Sequence, residues 1–313
     1  MIPSQHARTL KHAIVGAIPQ GIIRMLLETL ETRQDIPEAT GFHVYPRAYY
    51  SPLLLKEEID LTVLDRRRLL PGINLNEQGA LALIEKVSGY GSELDAIPYE
   101  ADGQSPFWFA NDWFNDFDAA SLYALLRHLK PKRYVELGCG YSSLMSSRAL
   151  ARNLAEGFAC DVVYADPQPR LDVERFLACG RLIQQRVQDV PFALFTRLEA
   201  GDVLFIDTSH VVKFQSDVVH ALVAILPSLK AGVWIHIHDM FTPYDYPREW
   251  LTQSRFSNNE QYAVEALLSG GDRYEVELPL YLIWKEQISA LMKLFPRGRL
   301  RPQGFWMRRS GTP

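Results

Sequence analysis

Cysteine is scarce: Cys139, Cys160 and Cys179 are the only three in 313 residues, an odd count with no C-x-x-C pair. That argues against a disulfide framework and fits a reducing compartment, the cytoplasm. A strong charge of one sign is also missing. The formal net charge is −4 and the pI about 6.1, which gives no electrostatic basis for binding nucleic acid. The local basic clusters Arg66-Arg67-Arg68, Arg297-Gly-Arg299-Leu-Arg301 and Arg308-Arg309 read as solvated faces or loops. Nor is there a long apolar run. The N-terminal stretch HAIVGAIPQGIIRMLLETL is interrupted by Pro19, Gln20 and Arg24 well short of the ~20 residues a membrane span needs. It lacks the uninterrupted apolar core of a signal peptide and reads as an amphipathic helix, so no stable membrane insertion is expected. Repeats and low-complexity tracts are absent.

What is present is ordinary globular composition, 47% hydrophobic and 22% charged. Residues 1 to about 105 read as a helical N-terminal extension, with helices near 7–32 and 76–88 around the loop GFHVYPRAYYSPLLL. The turn-rich segment SGYGSELDAIPYEADGQSP reads as a linker. Beyond it, Asp118 is placed to cap a helix in which Leu122, Leu125, Leu126 and Leu129 recur at helical spacing until Lys130-Pro131 stops it. Strands are then expected at Tyr134–Leu137, Val162–Ala165, Leu182–Arg186, Val203–Ile206 and Val233–His238. Helices are expected at 143–156, 169–178, 191–198 and 213–229, and again at 256–269. YEVELPLYLIW and GFWMRR read as two closing strands, an antiparallel finish. The alternation predicts an α/β domain over 106–313: a Rossmann-like, doubly wound, mostly parallel sheet covered by helices on both faces.

The most specific stretch is YVELGCGYSS, an apolar strand running into Gly138-Cys139-Gly140 with a helix starting at about Ser142 or Ser143. Glycines there allow a tight turn and close approach of backbone to a ligand. A dinucleotide fingerprint would want a third glycine, and Ser143 takes that place. Glu136 argues further against a pyrophosphate, which a helix N-terminus would hold, and suits a cationic ligand better.

With these residues the chain resembles the class I S-adenosylmethionine (SAM)-dependent methyltransferases. The resemblance continues through VVYADP, RVQDVPFALF, GDVLFIDTSH and LPSLKAGVWIHIHD, in order, over roughly 105–310. FIDTSHVVKFQSD followed by HIHDMFTPYDYPREW is similar to a bacterial subgroup that tailors small molecules and glycans. The resemblance implies a seven-stranded sheet, SAM as methyl donor and S-adenosylhomocysteine (SAH) as product. Cofactor contacts would fall at Glu136, Gly138, Gly140, Ser142 and Asp207, with Asp166 on the ribose hydroxyls and Gln188-Asp189 beside the adenine. The partner would be a small-molecule acceptor receiving methyl on oxygen or nitrogen; homo-oligomerisation is left open.

The strand VWIHIHDMFTPYDYP carries His236, His238 and Asp239 where an apolar end would be cheaper by ~2–7 kcal/mol for each unpaired neutral polar group. In an open α/β sheet the ligand crevice lies at the carboxyl ends of the strands. Asp207 ends the fourth strand, so His210, His238 and Asp239 are candidate catalytic residues, with His236 one pleat deeper. Three readings stay open: a divalent metal (Mg²⁺, Mn²⁺ or Fe²⁺) on Asp207, His238 and Asp239; a histidine general base; or a His–Asp pair that holds the loop. Metal-dependent O-methyltransferases carry Asp…Asp-Asn at these strand ends, and this chain departs from that pattern. His43, Tyr49, Tyr50 and Trp250 are candidates for the acceptor pocket. The rival functions are another SAM-based reaction such as a cyclase or lyase, an NAD(P)-dependent oxidoreductase, and a non-catalytic scaffold.

Overall fold

The computed structural model describes residues 18–33, 58–169, 175, 177–253 and 257–311. The chain forms two compact units, Met1–Ile59 and Asp60–Pro313. In the first, helix α1 (Gln20–Thr32) is the described part of the helix expected near 7–32, of which 7–17 lie outside the described residues; an Arg24–Glu28 pair at 2.8 Å spans one turn of it. No helix among the described residues is long and apolar enough to cross a membrane.

The second unit begins at Asp60, so residues up to 105 share it with the sheet. Helix α2 (Glu77–Val87) packs against the segment Tyr274–Pro279, and Asn76 just before it donates to the Val276 carbonyl at 2.8 Å. Helix α3 (Asp116–Leu129) follows and ends at Lys130, whose φ of 47° is the left-handed turn that closes a helix. Leu122, Leu125 and Leu126 are fully buried, each contributing about 1.5–3 kcal/mol, and Leu129 is partly buried against the same cluster.

Next come β1 (Arg133–Leu137), α4 (Tyr141–Ala155), β2 (Asp161–Ala165), β3 (Arg181–Ile183), α5 (Ala193–Thr196) and β4 (Val203–Ile206). After them, α6 (Asp217–His220) runs through a π-helical stretch, Ala221–Ile225, into α7 (Leu226–Ser228). The chain finishes with β5 (Trp234–Ile237), α8 (Arg248–Gln253), α9 (Glu260–Ser269), β6 (Tyr274–Pro279), α10 (Leu280–Leu294) and β7 (Phe305–Arg309). The strands make one seven-stranded sheet in the order β3-β2-β1-β4-β5-β7-β6. It is parallel except at β7, which is antiparallel to both β5 and β6.

Most expected elements are present. The third strand stops at Ile183 rather than Arg186, and of the helix expected at 169–178 residues 170–174 and 176 lie outside the described residues. YEVELPLYLIW is a strand only as far as Pro279, which lacks the N–H a ladder requires; from Leu280 the apolar run is α10. Asp118 does not cap its helix, which starts at Asp116. It is fully buried and accepts hydrogen bonds from the Gln303 and Gly304 N–H groups at 3.0 and 2.8 Å, fastening α3 to the approach of β7.

Alternation along the strands divides the core. Val135, Leu137, Leu204, Ile206, Ile235 and Ile237 fill one face; Tyr134, Tyr164, Phe205 and Trp306 fill the other, beneath α3 and α4. One register row on that second face reads Tyr164, Glu136, Phe205, His236, Trp306.

Candidate active site at the carboxyl edge of the sheet

That row explains the first of the polar groups on β5. His236 is fully buried, stacked on Phe205 at 4.2 Å between centroids and edge-on to Trp306 at 4.7 Å. Burial and the neighbouring His238 push it well below the usual histidine range, so it is a neutral packing residue.

One pleat further, the side chains reach the strand ends. His210 Nε2 lies 3.1 Å from Asp207 Oδ1 and 3.3 Å from Asp239 Oδ2, while its Nδ1 is 3.1 Å from Glu260 Oε2. His238 Nδ1 lies 3.4 Å from Asp239 Oδ1 and 3.8 Å from Asp207 Oδ2, with Asp118 Oδ2 3.7 Å from its Nε2. Phe114 covers His238 at 5.2 Å. His210 and Asp239 both hold positive φ, 57° and 59°, a conformation non-glycine residues rarely adopt and one that clusters at functional sites.

The electrostatics follow from this crowding. Burial alone would lower both His210 and His238. For His210 it is outweighed by Asp239, Asp207 and Glu260, and for His238 by Asp207, Asp118 and Asp239, so both are held well above the usual range. Burial would raise Asp207, yet His238 and His210 bring it down to about 2. Asp207 is the most open member of the group, its side chain 29% exposed.

Beside it lies the glycine loop. Gly138 has φ 86°, and a Cβ there would come within 1.7 Å of the Asp207 carbonyl oxygen, so the β1 and β4 ends meet without room for a side chain. At Gly140 a Cβ would find no atom within 4 Å: that backbone faces open space. Asp166, half-buried at the end of β2, accepts from the Cys139 N–H at 2.8 Å and the Gln168 N–H at 2.7 Å. Gln188 donates to the Gln215 carbonyl at 2.9 Å, tying the turn after β3 to the loop after β4; Asp189 is exposed and pairs with Arg186 at 2.7 Å.

The sheet order and strand ends are those expected of the methyltransferase fold, and residues 135–240, from within β1 to just past β5, match the family model for a methyltransferase domain. Residues 135–240 are a methyltransferase domain. An uncharacterised protein of Archaeoglobus fulgidus is 30% identical over 182 residues, 53% of this chain and 78% of that one. Among solved structures, the O-methyltransferase TomG of Streptomyces achromogenes, in complex with SAM, is 14% identical with a TM-score of 0.38. The likeness covers 73% of this chain and 89% of that one. An O-methyltransferase of Bacillus cereus in complex with SAH is likewise 14% identical, TM-score 0.37, over 74% and 91%.

Two residues of this methyltransferase lie elsewhere than an open cofactor site would need them. Glu136 is not at the rim of the crevice: it is fully buried under the start of α4, where its carboxyl accepts hydrogen bonds from Tyr134, Ser142, Ser143 and Ser146 at 2.6–3.0 Å. Ser142 is spent on that bond and only 3% exposed. Both anchor the helix to the strand. Trp250 packs edge-on to Phe241 at 5.2 Å in an aromatic cluster, and His43, Tyr49 and Tyr50 lie outside the described residues.

The remaining residues fit SAM: a glycine backbone open to a ligand at Gly140, the Asp166 carboxylate at the next strand end, and the Gln188-Asp189 turn beyond it. A divalent metal fits less well. No group of three or more His, Cys, Asp or Glu side chains among the described residues is arranged to hold one, because the His210 ring lies between the Asp207 and Asp239 oxygens.

Sequence reasoning missed Glu260 and misplaced Asp118. Glu260 is 50 positions from the histidine it meets, and no local pattern links them.

The buried Glu136 has a testable consequence. Burial raises its pKa to about 7 despite four hydroxyl donors. An acid whose folded pKa lies above its unfolded value of about 4.3 stabilises the fold less as pH rises between the two. Glu136→Gln removes that slope. Denaturant melts at pH 5 and pH 7.5 are expected to show wild type losing about 2.5 kcal/mol more than the variant between those values.

Proposed function

We propose that this methyltransferase transfers methyl from SAM to a hydroxyl oxygen of a small molecule, with His210 receiving the hydroxyl proton. The reading is carried by the placement of His210 Nε2 between the Asp207 and Asp239 oxygens, beside the glycine loop. Bound there, SAM supplies an electrophilic methyl group on a sulfonium. The acceptor oxygen forms the new O–CH₃ bond, the C–S bond breaks with its electron pair going to sulfur, and the proton passes to the imidazole. The two carboxylates stabilise the charge that His210 gains and orient the hydroxyl, a contribution of about 10²–10⁴-fold for general base catalysis. Asp166 and the Gly140 backbone hold the donor. The three free thiols fit a reducing compartment, the cytoplasm.

The test has two stages. Calorimetry with SAH is expected to show saturable binding, and no binding at millimolar SAH would overturn the reading. Transfer from methyl-labelled SAM to a panel of sugars, phenols and alcohols, with and without EDTA, then examines the chemistry. Turnover on a hydroxyl acceptor, unchanged within about twofold by chelation, supports the imidazole mechanism. A loss restored by Mg²⁺ or Mn²⁺ would instead assign Asp207, His238 and Asp239 to a metal.

The pH profile follows from the same group. His210 accepts a proton only when unprotonated, and its neighbours hold its pKa above the usual range. kcat/KM is therefore expected to rise with pH through a limb above about 6.5. Asp239→Asn removes one stabilising charge and should move that limb to lower pH. A limb unmoved in this variant would exclude His210 as its origin.

A further inference from the structure

We propose that Phe214, in the loop between β4 and α6, provides the aromatic face on which the adenine ring of SAM stacks. The proposal rests on the seat given to SAM above, with the donor lying across Gly140, Asp166 and the Gln188-Asp189 turn, and extends it to the loop after β4. Everything placed along that seat so far is backbone, carboxylate or amide. Such groups hold hydroxyls, an ammonium or the hydrogen-bonding edge of a base, and they leave the faces of a flat heteroaromatic ring without an apolar wall. Phe214 is 90% exposed, and the chain brings its neighbour to the same turn: the Gln188 side chain donates to the Gln215 carbonyl at 2.9 Å. Helix α6, which follows at Asp217, packs against Val187–Asp189 as well.

A single exposed phenylalanine is by itself ordinary. What sets this one apart is the loop that holds it out. The Ser209 N–H donates to the Asp217 carboxylate at 2.9 Å, closing the loop on itself. Within it the Ser216 N–H donates to the Lys213 carbonyl at 3.0 Å, and the Ser216 hydroxyl caps α6 by accepting from the Val219 N–H at 3.1 Å. The start of α9 grips the other side. The N–H groups of Asn259 and Glu260 donate to the His210 carbonyl at 3.0 and 3.2 Å, and the Asn259 side chain accepts from the Val212 N–H at 2.6 Å. Gln215 holds φ 55°, a conformation that persists in a residue with a side chain only where its surroundings over-determine it. That reversal separates Phe214, which stands out, from Ser216, which is buried. Phe192, just past the Gln188-Asp189 turn, is committed elsewhere: its ring lies 6.0 Å from Phe195 and 6.3 Å from His220, joining α5 to α6. The loop thus begins with Asp207 and His210 at the reacting group and ends with Phe214-Gln215 at the turn after β3, the two places that the ends of SAM are given.

Calorimetry with SAH tests this without an acceptor. Phe214→Ala is expected to weaken SAH binding by about 5- to 100-fold, the cost of taking an aromatic face from a stacked base. Phe214→Tyr, which keeps the ring face, should bind within about threefold of wild type. Because the side chain is so exposed, both variants should melt within about 2 °C of wild type, which separates lost affinity from lost fold. At saturating SAH, adenine H2 or H8 of the wild-type complex should show nuclear Overhauser contacts to phenylalanine ring protons, and these should vanish in Phe214→Ala. The proposal is overturned by a Phe214→Ala that binds SAH within about twofold of wild type, or by contacts that survive in it. An equal loss in the alanine and tyrosine variants overturns it too, since the ring face would then not be what binds. A second copy of the chain is the competing occupant: if wild type self-associates in sedimentation, Phe214→Ala does not, and SAH affinity is equal, the ring belongs to a subunit interface. If wild type itself fails to bind millimolar SAH, the SAM seat falls as a whole. If wild type binds and only the variant result fails, the seat stands and the assignment of Phe214 alone is lost.

Discussion

His210→Asn is expected to lower methyl transfer by about 10²–10⁴-fold while SAH binds within about twofold of wild type. Asparagine suits the test because position 210 has φ 57°, and asparagine tolerates that region better than alanine would. The grip of α9 on the loop survives, since it acts through the His210 carbonyl and the Val212 N–H rather than the ring. What disappears is the imidazole, one of the two histidine rings that touch both Asp207 and Asp239. Their oxygens lie 3.1 and 3.3 Å from Nε2, and without it they keep only His238, 3.8 and 3.4 Å away. Some stability should be lost for that reason, by about 1–3 kcal/mol. The kinetic signature separates this from loss of catalysis. An interaction made only in the transition state lowers kcat and kcat/KM together, whereas a loosened loop that binds acceptor poorly raises KM. A fall confined to KM would demote His210 to a structural part of the loop. The expected order is His210→Asn more severe than Asp239→Asn, because the second variant leaves Asp207 to orient the ring.

How much of this could be read from the chain depends on whether the relevant contacts are local. Strand, glycine loop and helix are consecutive in YVELGCGYSS, so their joint meaning was legible. The order of later strands follows from alternating periods, which is again local. Face assignment was legible too, yet depth was not. Alternation places Glu136 on the same side as Tyr134, but only the packing of α4 shows that three serines of that helix close over the carboxyl. The strand-end histidines were separated by alternation, with His236 one pleat deeper, and His236 lies within the Phe205–Trp306 row while His238 stands beyond it. Glu260 and Asp118 were out of reach because each acts across a fold. Asp118 meets Gln303 and Gly304 across 185 and 186 positions, and a buried aspartate near a helix start looks like a cap until the helix is seen to begin two residues earlier.

The glycine loop offers the sharpest contrast between neighbours. Gly138→Ala is expected to destabilise the second unit by about 4 kcal/mol or more, lowering Tm by on the order of 10 °C. Its φ of 86° alone would cost an L-residue about 1–2 kcal/mol. The larger effect is steric: the new methyl would lie 1.7 Å from the Asp207 carbonyl oxygen and 2.8 Å from its carbon. Neither side can yield cheaply. The Gly138 N–H donates to Ala165 on β2 at 2.9 Å, and the Asp207 N–H donates to Leu137 on β1 at 2.8 Å, so any relief breaks ladder bonds among β2, β1 and β4. Because Asp207 also faces His210, the displacement reaches the reacting group, and activity should vanish with stability. Gly140→Ala is the opposite case. Its φ of −173° is ordinary extended backbone and a Cβ there touches nothing within 4 Å, so the variant should melt within about 2 °C of wild type. Its methyl projects into the opening where SAM is placed, and SAH affinity should fall by about tenfold or more, since about 1.4 kcal/mol of clash or lost contact suffices. A stable Gly140→Ala that binds SAH as wild type does would show that the cofactor does not lie over this loop, and the placement of the donor beside His210 would fall with it.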